Sequence, residues 1–289
     1  MTPVGVYPYP KQPGSALDIL LTVLKARYKT IWRYKGALVA EIFFPVIFAA
    51  LPILLGVAVA GNQELAAANF KNSSGTEQFK LYLLLGANTF VVVETMMWVV
   101  GYWTRQEQET GTLESVYLAP ANRYLVLTGV TLYALIRALM NFSLGLLVGS
   151  LLFGVNPLSG NFLLAVGFVL LGMLPMWGIS FAFGAIILRL KEANSIISLS
   201  TWVVSFFMGI FFPVKILSPL IYYVALGFPP TWMANGVRAS LLDVSFFLGT
   251  WYLDLTVLLA FALVFPVLGY AFFLSTERRL KSKEGLGAF

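Results

Sequence analysis

Long apolar stretches are the feature that most constrains what this chain can fold into. A helix needs about 20 mostly apolar residues to cross a bilayer. Six such stretches follow one another, at residues 36–60, 79–103, 124–153, 161–188, 193–212 and 252–275. Only 11% of the residues are charged, against roughly 25% in an ordinary soluble domain. The sequence therefore predicts an all-α membrane protein with six transmembrane helices.

The residues before the first span predict a separate helix. Ser15 is a candidate N-cap with Asp18 three positions on, a spacing similar to that of a capping box. Apolar residues then recur at helical spacing beside lysines and arginines, which is typical of an amphipathic helix lying in the membrane interface. We expect residues 1–35 to form a cytoplasmic N-terminus with this helix, and residues 36–289 to form the transmembrane domain. The Pro-rich start does not resemble a signal peptide, so we expect the first span to remain in the mature protein.

A shorter apolar piece, residues 214–230, lies between the fifth and sixth spans. It is too short for another span and is bracketed by prolines. Backbone of this kind is tolerated at membrane depth only where protein or water covers it. We therefore predict a re-entrant helical hairpin made by this piece and residues 231–243. Its marker residues are Pro213, Pro219, Pro229, Pro230 and Arg238.

The basic residues predict the orientation. If the N-terminus is cytoplasmic and there are six spans, four basic residues fall outside: Lys71, Lys80, Lys215 and Arg238. Fourteen fall inside: Lys11, Lys25, Arg27, Lys29, Arg33, Lys35, Arg105, Arg123, Arg189, Lys191, Arg278, Arg279, Lys281 and Lys283. Loops that stay in the cytoplasm carry the excess of Lys and Arg. We expect a multi-pass protein of the plasma membrane with both termini in the cytoplasm.

The connecting segment, residues 105–123, is a long polar stretch between the second and third spans, and this orientation places it in the cytoplasm. Its pattern predicts a short amphipathic helix suited to docking in a groove of another protein. A short interfacial helix without a partner is the alternative from the pattern alone. The residues that carry the docking interpretation are Glu107, Glu109, Gly111, Thr112, Leu113, Glu114, Val116 and Tyr117.

Two separated motifs resemble a known family, the ABC type-2 permeases. "EQETGTLE" in the connecting segment matches that family's E-x-x-x-G-T-L-E, followed by a Pro and an Arg. Phe212-Pro213, Leu217-Ser218-Pro219, Phe228-Pro229-Pro230 and Arg238 match its segment after the fifth helix. Together with six spans and cytoplasmic ends, the resemblance covers nearly the whole chain.

The resemblance implies the transmembrane subunit of an ATP-driven transporter, usually an exporter. It makes the connecting segment a coupling helix that seats on a nucleotide-binding subunit. The chain has no G-x-x-x-x-G-K-[ST] phosphate loop, so it is expected not to be an enzyme and to bind no cofactor. ATP and Mg would bind to a separate ABC ATPase, present in two copies. A second permease, identical or homologous, and membrane lipid are the other expected partners, and nucleic acid is not.

Three ionisable residues lie within predicted spans. Glu41 is close to the cytoplasmic start of the first span, whereas two lie deep, Glu94 in the second and Arg137 in the third. Charged groups are expensive in lipid and usually face protein or water. At ~1.5 Å per residue the two lie at similar depths, so we predict that they pair. A structural ion pair, a polar element of the substrate path and a proton relay are all open interpretations.

Two other functions fit the same hydropathy. A secondary transporter would show internal repeats with matched broken helices, and no convincing repeat is visible. A non-transport membrane scaffold is the third possibility. The substrate cannot be read from the sequence, but aromatic-rich walls would suit an amphipathic, glycan-like or lipid-like molecule.

Overall fold

The computed structural model describes residues 15–33, 35–111, 122–187 and 193–283, which are helices and their connections with no strand among them. In chain order the helices are α1 (Ala16–Arg33), α2 (Lys35–Ala60), α3 (Gln63–Ser74), α4 (Phe79–Glu109), α5 (Arg123–Phe153), α6 (Phe162–Ile187), α7 (Ala193–Phe207), α8 (Pro219–Leu226), α9 (Pro229–Leu242) and α10 (Trp251–Lys283).

Within the described ranges, five helices are long and apolar enough to cross a membrane: α2, α4, α5, α6 and α10. The fifth predicted span, 193–212, corresponds to α7, which has 15 residues and ends at Phe207. At about 1.5 Å per residue its 15 described residues are shorter than a hydrocarbon core of about 30 Å. The helix stops where Gly209 adopts a left-handed backbone with φ of 61°, and Pro213 follows. The described part of the chain is therefore all-helical with five candidate spans, and six spans stay a prediction.

Helix α4 is the core of the bundle. In its most apolar window 83% of the residues are buried, against 22% in α2 and in α10. It packs against α2, α5, α6, α7 and α9, and Ser180 of α6 donates a hydrogen bond to the Met96 carbonyl oxygen of α4 at 3.1 Å. Helices α2 and α10 lie at the periphery, where their exposed leucines and valines suit contact with lipid or another chain.

Helix α1 begins as the sequence predicts. The Ser15 amide and hydroxyl both donate to the Asp18 carboxylate, at 3.0 and 2.8 Å, and the Asp18 amide donates to the Ser15 hydroxyl at 3.3 Å. The capping box is thus confirmed. Helix α1 packs mainly against α5, where the rings of Tyr28 and Tyr133 meet edge to face at 5.6 Å. Its location in the membrane interface stays a prediction.

The proline-rich segment folds into a single 3-10 turn (Val214–Ile216) and two short helices, α8 and α9. Pro219 and Pro229 stand at the first positions of these helices, where the missing amide hydrogen costs nothing. Helix α9 is buried along most of its length and packs against α6 and α4. That the segment re-enters the membrane stays a prediction.

Sequence analysis missed α3, which lies between α2 and α4. The helix has both of its ends encoded locally. The Asn62 side chain accepts a hydrogen bond from the Leu65 amide at 2.8 Å, and Gly75 closes the helix with φ of 84°. These are the usual signals for the beginning and end of a helix. A search for apolar spans does not detect this helix, because the segment is polar.

Two glycines let α6 and α10 cross with their backbones in contact. A Cβ on Gly178 would overlap the Phe265 carbonyl group of α10, and one on Gly269 would overlap the Gly178 carbonyl group. Small residues permit such close approach between membrane helices. The Gly145-x-x-x-Gly149 motif is also used inside the chain, because Gly145 faces Pro45 and Gly149 faces Leu84.

We expect Gly178→Ala to lower the free energy of unfolding by about 1–3 kcal/mol, since a packed backbone must move to admit the methyl group. The control is Gly167→Ala in the same helix, because a Cβ there meets nothing within 4 Å. Thermal unfolding of both variants in the same detergent makes the comparison. Equal melting temperatures for the two would contradict the close crossing.

Candidate functional site

A cavity of about 360 Å³ lies between α2, α4 and α5, within the range of about 300–1,000 Å³ typical of small-molecule sites. Helix α4 supplies most of one wall. The lining consists of aromatic and aliphatic side chains with a few polar groups: Ala40, Glu41, Phe44, Val91, Glu94, Thr95, Trp98, Val99, Tyr102, Arg137 and Asn141. Such a mixture of apolar surface and sparse polar groups is what a ligand-binding pocket needs.

Glu41 is the centre of a hydrogen-bond network on one side of this cavity. Its carboxylate accepts two hydrogen bonds from the Arg137 guanidinium, one of them from Nε at 2.9 Å. Asn141 Nδ2 donates a further bond to the same carboxylate at 3.1 Å. The paired side chains are only 21% (Arg137) and 27% (Glu41) exposed. This fork-to-carboxylate geometry neutralises both charges and ties α2 to α5.

The predicted partner of Arg137 was wrong, because the structure pairs Arg137 with Glu41. Glu94 and Arg137 do line the same cavity, so the depth argument placed them near each other. It could not tell which side of each helix the charges occupy. Among the described residues Glu94 has no hydrogen-bond or ion-pair partner, and its carboxylate faces the cavity without a counter-charge.

A second cavity of about 240 Å³ adjoins the first, and both are lined by Val99, Tyr102 and Arg137. Its other walls include Arg27 of α1 and Gln106 near the end of α4. The two cavities therefore extend along α4, from the Glu41 network toward the start of the connecting segment. Arg137 lies on the boundary between them.

Glu107 fastens α1 to the end of α4. The Arg27 guanidinium donates to the Glu107 carboxylate at 3.2 Å and lies 5.9 Å from the Trp103 ring centroid. Burial lowers the pKa of Arg27, and the charge of Glu107 opposes that shift. The carboxylate that sequence analysis assigned to docking thus faces a residue of its own chain.

The connecting segment begins inside α4. Glu107 and Glu109 lie in the last turn of that helix, and Gly111 ends it with φ of 67°, a backbone that favours glycine. Thr112, Leu113, Glu114, Val116 and Tyr117 lie outside the described residues. Their role in coupling stays a prediction.

Arg238 of α9 is the most deeply buried cationic side chain among the residues that the structure describes, at 2% exposed. It donates to the carbonyl oxygens of Gly209 at 2.8 Å, Ile210 at 2.5 Å and Tyr82 at 3.3 Å. Its guanidinium also lies 3.8 Å from the Tyr82 ring centroid. Arg238 therefore joins α4, the end of α7 and α9.

Sequence reasoning missed Asn141, Trp98 and Tyr102 as cavity residues. Helical spacing could have found them, because residues four apart share a face of a helix. Asn141 is four residues after Arg137, and Trp98 and Tyr102 follow Glu94 at the same interval. Trp98 also lies near the end of a predicted span, where tryptophans usually anchor a helix at the membrane interface.

The Glu41–Arg137 pair gives a double-mutant cycle. We expect Glu41→Gln and Arg137→Met each to destabilise the protein by about 1–3 kcal/mol, because each leaves a partly buried charge unpaired. The double variant should recover part of that loss, which unfolding in detergent measures. The exposed pair Lys71 and Glu77, 2.8 Å apart, is the matched control and should show no measurable coupling. Additive losses at Glu41 and Arg137 would contradict the pairing.

The long apolar helices of the described residues are typical of a multi-pass membrane protein. Comparison with families makes the identity specific. A model of the family described as ABC-2 type transporter matches residues 19–242, well over half of the chain. The chain therefore belongs to the ABC-2 type transporter family and is an ABC transporter permease, a transport component that is not itself an enzyme. A comparison with curated proteins found no match.

Proposed function

We propose that this permease exports an amphipathic, glycan-like or lipid-like molecule from the cytoplasm, driven by a separate ABC ATPase. The observation that carries the proposal is the pair of adjoining cavities along α4. They run from the Glu41 network to Arg27 and Gln106, next to the segment that resembles a coupling helix. Because α4 leads into that segment and lines both cavities, a movement of the segment would displace the cavity walls.

The Arg27–Glu107 contact supports a mechanical role for this end of α4. It ties α1 to α4 close to the point where the connecting segment begins. A displacement of the segment by an ATPase would therefore carry α1 and α4 together. Helix α5 would follow α1, because the two pack side by side.

The test of this proposal is assembly. The tagged chain is co-expressed with an ABC ATPase encoded beside its gene and purified in mild detergent. We expect a stable complex with two permease chains and two ATPase chains. A permease that purifies alone, while the same ATPase assembles with a different membrane chain, would favour the secondary transporter or scaffold instead.

The orientation is part of the same proposal. We expect Cys at Ser73, on the exposed surface of α3, to react with an impermeant maleimide in intact cells. The native chain has no cysteine, so labelling is specific. Thr110→Cys, at the exposed end of α4, is the control and should react only after the membrane is opened. The reverse pattern would place the connecting segment outside and contradict coupling to a cytoplasmic ATPase.

A further inference from the structure

The cavity between α2, α4 and α5 holds one carboxyl group, that of Glu94, which no other charge balances. Glu41 and Arg137 neutralise each other through their hydrogen bonds. Glu94 lines the same space and has no ion-pair or hydrogen-bond partner in the described part of the chain. An isolated carboxylate at membrane depth is expensive unless a cation or water compensates it. The cavity therefore suits a ligand that carries a single positive charge.

Asn141 also lines this cavity and carries a buried hydrogen-bond acceptor. Its side chain is 1% exposed, and its Nδ2 already donates to Glu41. Because that carboxylate only accepts, the amide must turn its nitrogen toward Glu41 and its oxygen away. Asn141 Oδ1 is buried and has no hydrogen-bond partner. A buried acceptor without a donor is costly, so a ligand with an N–H group would satisfy it.

Aromatic side chains complete the lining. Phe44, Trp98 and Tyr102 face the cavity from α2 and α4. Tryptophan and tyrosine rings attract cations through the negative face of the ring and offer flat apolar surface to an aromatic body. Glu94, the ionisable group of this lining that has no partner among the described residues, is therefore an acceptor surrounded by rings.

From this arrangement the geometry points to a binding site for a protonated amine with an aromatic or apolar body, its ammonium between Glu94 and Asn141. This assignment names the substrate class of the proposed transport function and rests on it. The Glu94 carboxylate supplies the counter-charge, Asn141 Oδ1 accepts an ammonium N–H, and Trp98 and Tyr102 cover the apolar body. An anionic substrate is disfavoured, because the only cation of this cavity among the described residues, Arg137, is already paired with Glu41.

The test is equilibrium binding to the full chain in lipid nanodiscs, without any ATPase. The probe is radiolabelled phenethylamine, and the competitor is 2-phenylethanol, which has the same shape and no charge. We expect the amine to bind at least ~30-fold more tightly than the alcohol, as for a charge pair that is partly removed from water. Equal affinity for amine and alcohol, or no binding of the amine, would overturn the assignment.

Variants locate the charge. We expect Glu94→Gln to lose at least ~30-fold in amine affinity while its affinity for 2-phenylethanol stays unchanged, a result that misfolding would not give. Glu94→Asp should keep most of the preference for the amine, and Trp98→Leu should lose about 5-fold. Glu77→Gln, which removes a carboxylate from the exposed surface, is the matched control and should bind as the native chain does. Unchanged amine binding in Glu94→Gln would overturn the assignment.

The outcome is separable from that of the proposed function. The binding assay contains no ATPase. A chain that binds the amine but never assembles with an ATPase would therefore support the amine site and contradict the proposed ATP-driven export. A chain that assembles with the ATPase but binds amine and alcohol equally would support the proposed export function and contradict the amine as its substrate.

Discussion

Arg238→Met is expected to be among the most destabilising single substitutions in this chain, with a loss of about 3–5 kcal/mol in the free energy of unfolding. Arg238 is 2% exposed and supplies donors to three carbonyl oxygens, two of which, Gly209 and Ile210, lie in the non-helical turn after α7. Without the guanidinium those buried acceptors lose their partner, at a cost of about 1–3 kcal/mol each. The turn should open and release α9 from α4.

Thermal unfolding in detergent, followed by circular dichroism, measures the loss. Arg238→Lys keeps the charge but not the planar fork, so it should fall between the native chain and Arg238→Met. Lys71→Met is the matched control, since it removes an exposed cation from α3 and should leave the melting temperature unchanged. A native-like melting temperature for Arg238→Met would show that the three hydrogen bonds are not needed for the fold.

The second large effect is expected at Leu113, in the connecting segment. We expect Leu113→Asp to weaken association with the ATPase by about 100-fold or more while the permease stays folded in the membrane. The apolar side chain is expected to enter a groove of the ATPase, and a charge in a contact without water costs several kcal/mol. This expectation rests on the amphipathic pattern and the family resemblance, because residue 113 lies outside the described residues.

Co-purification at matched expression measures that loss. Leu158→Asp is the control, because it puts the same charge on a leucine that is 63% exposed in the connection after α5, at the opposite end of that helix. It should leave the complex intact. Normal assembly in Leu113→Asp would contradict docking of the connecting segment and favour a surface helix without a partner.

The long helices could be predicted from the sequence because their cause is local. Roughly 20 apolar residues in a row have few alternatives to a helix in lipid, and the five long helices match the predicted spans to within several residues. The end of α7 was harder, because it depends on the left-handed backbone of Gly209 inside a stretch that remains apolar through Phe212. Helix α3 depends on the caps at Asn62 and Gly75, which a search for apolar spans does not weigh.

The candidate site was predictable only in part, because pairing depends on which helices are neighbours. Glu94, Arg137 and Glu41 were all noticeable as charges in apolar spans. Arg137 takes Glu41 as its partner because α2 and α5 bring the two into bidentate range, and rotation about a helix axis is not readable from depth. The Arg27–Glu107 contact joins residues 80 positions apart, and no local pattern carries information of that kind.

We expect this permease to work through an ATPase on another chain, and ATP hydrolysis in lipid is the decisive measurement. The purified chain is reconstituted alone, with its ATPase, and with the ATPase after Leu113→Asp. We expect no hydrolysis by the chain alone, hydrolysis by the complex that responds to the presence of the permease, and loss of that response in Leu113→Asp. Hydrolysis by the chain alone, or an ATPase whose rate is the same with and without the permease, would contradict a mechanism driven by a separate ATPase.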